Sequence, residues 1–113
     1  MKNPNFNLFN LKGRTAIVTG ALGVLGRPFC KGLSEFGANV VVTDLLETDC
    51  KKFAEELSAT YGTKALGIKC DVTSPNEVSY MVEKTVQSLG KIDILHNNAG
   101  GRSTDLDAFF CTL

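Results

Sequence analysis

Directly after a β-branched run, Thr15-Ala-Ile-Val-Thr19, the chain reads Gly20-Ala21-Leu22-Gly23-Val24-Leu25-Gly26, with glycines repeating every third residue where a strand would turn into a helix. Each glycine has a physical use there. Gly20 permits the tight turn, Gly23 lets backbone amides approach a pyrophosphate, and Gly26 lets the helix pack closely on a sheet. The amides at Val24 and Leu25 and the positive helix end then hold the anion. A glycine-rich turn without a ligand is the alternative, and the motif must be weighed with its neighbours. Pro28 fits only near the helix start, since deeper in it would delete a ladder bond.

The most telling neighbour is Asp44, which closes a second β-branched run 18 residues beyond Gly26. A carboxylate at that spacing accepts hydrogen bonds from both hydroxyls of an adenosine ribose and repels a 2′-phosphate. No Lys or Arg stands at Leu45 or Leu46 to receive such a phosphate. The joint spacing predicts NAD as the cofactor, with NADP less favoured. An ordinary turn aspartate is the alternative for Asp44 taken alone.

The elements that position these residues are read from periodicity. Thr15–Thr19 and Asn39–Thr43 are almost continuous apolar runs bounded by glycine, the pattern of strands covered on both faces; Ala65–Cys70 and Ile92–His96 are weaker versions. Between them lie helical stripes. Leu25, Phe29, Leu33 and Phe36 share one face before Gly37, and Phe53, Ala54, Leu57 and Tyr61 share another before Gly62. A third helix starts at the N-cap Ser74 with Pro75 and the capping-box partner Glu77. It turns Val78, Met81, Val82, Val86 and Leu89 inward and stops at Gly90. Strand and helix alternate throughout, which implies one α/β domain over residues 1–113 with a parallel, doubly wound sheet in the order 3-2-1-4.

Composition narrows the function classes. The 113 residues carry 12 Lys and Arg against 12 Asp and Glu, so no global field favours nucleic acid as a partner. Cys30, Cys50, Cys70 and Cys111 are too far apart for the paired spacing of a zinc site, and no metal is expected. No apolar run approaches a membrane span and the first ten residues contain no signal-peptide core, so a cytoplasmic protein with reduced thiols is expected. The lone histidine, His96, reads as a packed strand-end residue, and Cys30 and Cys70 as small core residues. Tyr80 and Lys84 spell Tyr-x-x-x-Lys, but the buried stripe of that helix leaves both facing outward, away from the carboxyl ends of the strands.

Four ordered landmarks resemble the short-chain dehydrogenase/reductase family: Leu11-x-Gly13-Arg14-x-Ala16-x-Val18-Thr19-Gly20, the glycine turn, Asp71-Val72, and Asn97-Asn98-Ala99-Gly100. The resemblance implies a Rossmann-like fold. It also implies that Asp71 and Val72 contact adenine, that Asn98, Ala99 and Gly100 border the adenosine ribose, and that Asn97 ties strands together. The glycine spacing is closer to the extended branch of that family, whereas Asn-Asn-Ala-Gly is typical of its short members. The family's catalytic Ser and Tyr-x-x-x-Lys lie well beyond the Asn-Asn-Ala-Gly turn, and no residue here is assigned a catalytic role.

The expectation is therefore the cofactor side of an NAD-dependent oxidoreductase acting on an alcohol or carbonyl, with the sheet truncated after its fourth strand. The alternative is a non-catalytic dinucleotide-binding module or one half of a split enzyme. An open fourth strand and the apolar tail around Phe109 and Phe110 would favour self-association or a missing C-terminal half.

Overall fold

The computed structural model describes residues 8–100. The tail at Phe109, Phe110 and Cys111 lies outside them, as do the first seven residues. Four strands form one parallel sheet: β1 (Thr15–Thr19), β2 (Asn39–Asp44), β3 (Ala65–Lys69) and β4 (Ile94–His96). Their spatial order is β3-β2-β1-β4, the predicted 3-2-1-4. Three helices make the crossovers: α1 (Gly26–Glu35), α2 (Glu47–Tyr61) and α3 (Pro75–Leu89). The fourth strand is shorter than the run that predicted it, because Ile92 packs beneath the sheet and ladder pairing begins with Ala16 opposite Ile94.

The chain first steps outward from β1 to β2 to β3, then reverses to β4 beside β1. Crossovers of one hand consequently place α1 and α2 on one face and α3 on the other. Alternate strand residues feed the two layers. Val18, Val40 and Val42 meet Cys30 from α1 and Cys50, Phe53, Ala54 and Leu57 from α2, while Ile17, Val41 and Ile68 meet Met81 from α3. Thr43 lies among these apolar side chains and donates its hydroxyl to the Val18 carbonyl at 2.9 Å, which satisfies it and ties β2 to β1.

Two helical stripes differ from expectation. On α1 the buried positions are Gly26, Cys30 and Ser34, one residue round from the predicted stripe; Leu25 is exposed and Phe29 is 40% exposed. Small residues win that face because they bring the helix axis closer to the sheet. On α3 the Ser74 hydroxyl accepts the Glu77 amide at 3.3 Å as predicted, but only Met81 and Thr85 are fully buried. Val82 and Val86 are 38% and 45% exposed among the described residues.

At the amino end of β4, the Asp93 carboxylate accepts the Thr15 amide at 2.9 Å, and the Asp93 amide donates to the Thr15 carbonyl at 2.9 Å. The Thr15 amide's hydrogen bond to that carboxylate, helped by Lys91 and Arg14, holds the Asp93 carboxyl below the usual carboxylate range.

Candidate functional site

Because all strands run the same way, the residues that follow them collect at one edge of the sheet. Gly20 follows β1, Asp44 ends β2, Asp71 and Val72 follow β3, and Asn98, Ala99 and Gly100 follow β4. The sheet changes winding direction between β1 and β4, and the crevice at such a switch point is where open α/β sheets take ligands.

The glycine turn is locked from several sides. Gly20 has φ +62°, and a Cβ there would stand 2.9 Å from the Ala99 Cα, so the residue serves both the turn and the close passage of the loop after β4. A Cβ on Gly26 would run into the Gly20 carbonyl oxygen, which explains why α1 starts on a glycine. Gly23 is different: a Cβ would meet that same oxygen at an ordinary 3.4 Å, so the packing of the chain itself does not demand glycine there.

Thr19 joins the two halves of the crevice, a role its sequence position does not announce. Its hydroxyl is buried, accepts the Asn98 and Ala99 amides at 3.0 Å each, and donates to the His96 carbonyl at 3.5 Å. The Asn98 side chain adds an Nδ2 donation to the Gly20 carbonyl at 3.2 Å. Asn97 is exposed among the described residues, and the amide side chain that ties the loop to β1 there belongs to its neighbour. His96 itself packs edge-on against the Phe29 ring of α1, with centroids 4.2 Å apart, in keeping with a packed strand-end histidine.

Asp44 stands beside the turn. Its Oδ2 accepts the Leu22 amide at 2.9 Å, its Oδ1 accepts the Leu45 amide at 2.8 Å, and its carbonyl accepts the Cys70 amide at 2.9 Å. Each carboxylate oxygen thus keeps a further acceptor direction. At the start of α1 the amides of Val24, Leu25 and Gly26 donate to nothing among the described residues, and Val24 is 90% exposed.

Asp71 organises its own turn. The Thr73 hydroxyl donates to Oδ1 at 2.6 Å and the Thr73 amide at 2.9 Å, which together hold the Asp71 carboxyl below the usual carboxylate range. Glu77 does not close the capping box onto the Ser74 amide. Its carboxylate takes the Asp71 amide at 3.3 Å and the Lys69 ammonium at 3.2 Å, while the Ser74 amide goes to the Asp71 carbonyl. Val72 is half exposed beside this turn.

The remaining chemistry-bearing groups lie elsewhere. Tyr80 and Lys84 face outward and line a cleft of about 540 Å³ beside β3, two strands from the glycine turn. Burial pushes the Cys30 thiol up to about 12 and the Cys50 thiol up to about 11, and raises that of Cys70. No group of His, Cys, Asp or Glu among the described residues is arranged to hold a metal ion, and none of the described helices is long and apolar enough to cross a membrane.

Comparison with known proteins bears on this geometry. The family profile of the short chain dehydrogenases matches residues 14–111. A short chain dehydrogenase/reductase, astE, of Aspergillus oryzae is 42% identical over 95 residues, which are 84% of this chain and 36% of that protein. An NADP-dependent mannitol dehydrogenase of Alternaria alternata is 35% identical over 97 residues, covering 83% of this chain and 36% of the relative. The crystal structure of a hydroxysteroid dehydrogenase from Escherichia coli superposes with a TM-score of 0.78 at 35% identity, over 88% of this chain and 41% of that one. The chain spans little more than a third of the length of the relatives it matches. With its Rossmann-like sheet, its glycine turn and its Asn-Asn-Ala-Gly loop meeting across one switch point, the chain belongs to the short-chain dehydrogenase/reductase family of oxidoreductases.

Proposed function

We propose that the chain forms the NAD-binding part of an oxidoreductase that moves a hydride between nicotinamide and an alcohol or carbonyl group. The observation that carries the choice of cofactor is the Asp44 carboxylate. It stands against the glycine turn at 2.9 Å from the Leu22 amide, with an acceptor direction left on each oxygen. A ribose diol can donate to both, whereas a 2′-phosphate would meet like charge. Leu45 and Leu46 follow, exposed and uncharged. An Alternaria relative is NADP-dependent by name; the acidic end of β2 favours the other cofactor here.

The turn suits a pyrophosphate. Val24, Leu25 and Gly26 offer successive amides without partners at a helix N-terminus, where backbone dipoles favour an anion. Gly23 keeps side-chain bulk out of the approach. Asp71 and Val72 would flank the adenine, and Asn98, Ala99 and Gly100 the ribose. When bound, the cofactor supplies the hydride chemistry; this chain's residues bind and orient it. Three buried, unpaired cysteines suit a reducing, cytoplasmic setting.

The test is a fluorescence titration of the chain with NADH and NADPH. NADH should bind at least about tenfold more tightly, a difference of about 1.4 kcal/mol, and Asp44→Ala should erase that ratio. Equal affinities in the wild-type chain would remove Asp44 from the selecting role, and binding of neither cofactor would overturn the dinucleotide reading itself.

A further inference from the structure

The glycine turn has a second attachment that the family motif does not explain. Leu22, at its centre, is gripped at both ends: its amide by Asp44 Oδ2 at 2.9 Å, and its carbonyl by the Nε of Arg27 at 3.1 Å. The Arg27 guanidinium lies over the Phe53 ring, 4.8 Å from the centroid, and Phe53 is buried in the core of α2. The backbone amide of Arg27 also donates to the Gly23 carbonyl at 3.2 Å. Arg27 thus meets two consecutive carbonyls, that of Leu22 through its side chain and that of Gly23 through its backbone amide.

Peptide planarity turns that grip into an aim. In a trans peptide the carbonyl and the following N–H point in opposite directions. Fixing the Leu22 carbonyl sends the Gly23 amide toward the Gly20 carbonyl, where it is found at 3.2 Å. Fixing the Gly23 carbonyl likewise turns the Val24 amide away from Arg27, toward the open side of the turn. We propose that Arg27 is a positioning residue for the phosphate-facing amides: braced on Phe53, its side chain clamps the Leu22 carbonyl at the centre of the turn, while its backbone amide holds Gly23 as any helix residue would, so that Val24, Leu25 and Gly26 present a preformed anion cradle. This rests on the dinucleotide reading above and extends it from the cradle to the strut behind it.

The side chain must be arginine for this task. Nε can donate to Leu22 while the planar group stays stacked on the ring; a lysine ammonium cannot hold that fork geometry and a flat contact together. The clamp serves the pyrophosphate and leaves the nucleoside end alone, which gives it a distinct signature.

The experiment measures NADH, ADP-ribose and adenosine affinities, together with thermal melting, for the wild-type chain, Arg27→Lys, Arg27→Met and Phe53→Leu. Both Arg27 variants should weaken NADH and ADP-ribose by about tenfold, the scale of one charge-assisted hydrogen bond. Adenosine affinity should stay within about twofold, and Phe53→Leu should shift the two pyrophosphate ligands in the same direction by a smaller factor, about threefold. Wild-type affinity in Arg27→Lys with a loss in Arg27→Met would mean direct charge contact with phosphate and would overturn the clamp. An equal loss for adenosine would also overturn it, as general loosening of the fold. Failure of the wild-type chain to bind either pyrophosphate ligand would instead bring down the cofactor reading together with the clamp.

Discussion

The two faces of the sheet are built to different thicknesses. Under α1 and α2, Val18, Val40 and Val42 meet Cys30, Cys50, Phe53, Ala54 and Leu57, and every one of these is essentially inaccessible. Under α3, a smaller group around Ile17, Val41, Ile68 and Met81 is closed, while Val82 and Val86 on the helix and Leu95 on β4 stay exposed among the described residues. The candidate site uses both faces unequally. Its glycine turn and Asp44 are braced by the thick side, and its Asn98–Ala99 loop follows a three-residue strand and is tied to β1 through the Thr19 hydroxyl. A ligand that bridges them would join a rigid wall to a lightly held one.

The largest effect that tests this contrast is a pair of truncations. Leu57→Ala, in the thick layer, should cost about 2–5 kcal/mol in urea unfolding, whereas Val86→Ala should stay within about 0.5 kcal/mol. Comparable losses would mean that both faces carry the fold equally. Next in size is thiol accessibility. Cys30 and Cys50 belong to the thick layer and Cys70 to the thin one. At pH 8 all three should resist alkylation in the native state, since burial raises each thiol above its ordinary value, with Cys30 at about 12 and Cys50 at about 11. Of the three, Cys70 should be modified first by at least about tenfold, as followed by peptide mass spectrometry, because its layer opens more readily. Modification of Cys30 first would reverse the ranking of the faces.

The smallest effect is acid sensitivity at β4. The Thr15 amide holds the Asp93 carboxyl below its ordinary 3.8. A depressed folded value means that its stabilisation is complete above that pH and is lost as pH falls through the lower folded value. Hydrogen exchange should therefore show β4 loosening before β2 as pH drops below about 4, and Asp93→Asn should abolish the difference in pH response between them. An unchanged order in the variant would remove Asp93 from the tie.

Much of this arrangement was legible in residue order. The strand starts, the glycine stops and the 3-2-1-4 order follow from β-branched runs separated by capped amphipathic stretches, and the convergence of Gly20, Asp44, Asp71 and Asn98 follows from parallel strands alone. Periodicity failed where neighbours decide. An apolar stripe on α1 pointed to Leu25 and Phe29, but the close approach to the sheet favoured Gly26, Cys30 and Ser34. On α3, Val82 and Val86 had the right spacing and no described partner to bury them. Asn97 and Asn98 differ by half a pleat, so only the geometry tells which one turns back onto Gly20. Thr19 and Arg27 were invisible for another reason: each acts through a backbone group that sequence does not reveal.

The buried Thr19 hydroxyl has a consequence for the order in which the molecule forms. It bonds amides 79 and 80 positions away in the chain, so this junction cannot exist until nearly the whole described polypeptide has been gathered. Contacts of such long span close late and reopen early, because the entropy of a large loop weighs against them until the rest of the sheet is in place. The candidate crevice is thus a finishing step of folding, and its occupancy by a ligand would report directly on whether the two ends of this segment have met.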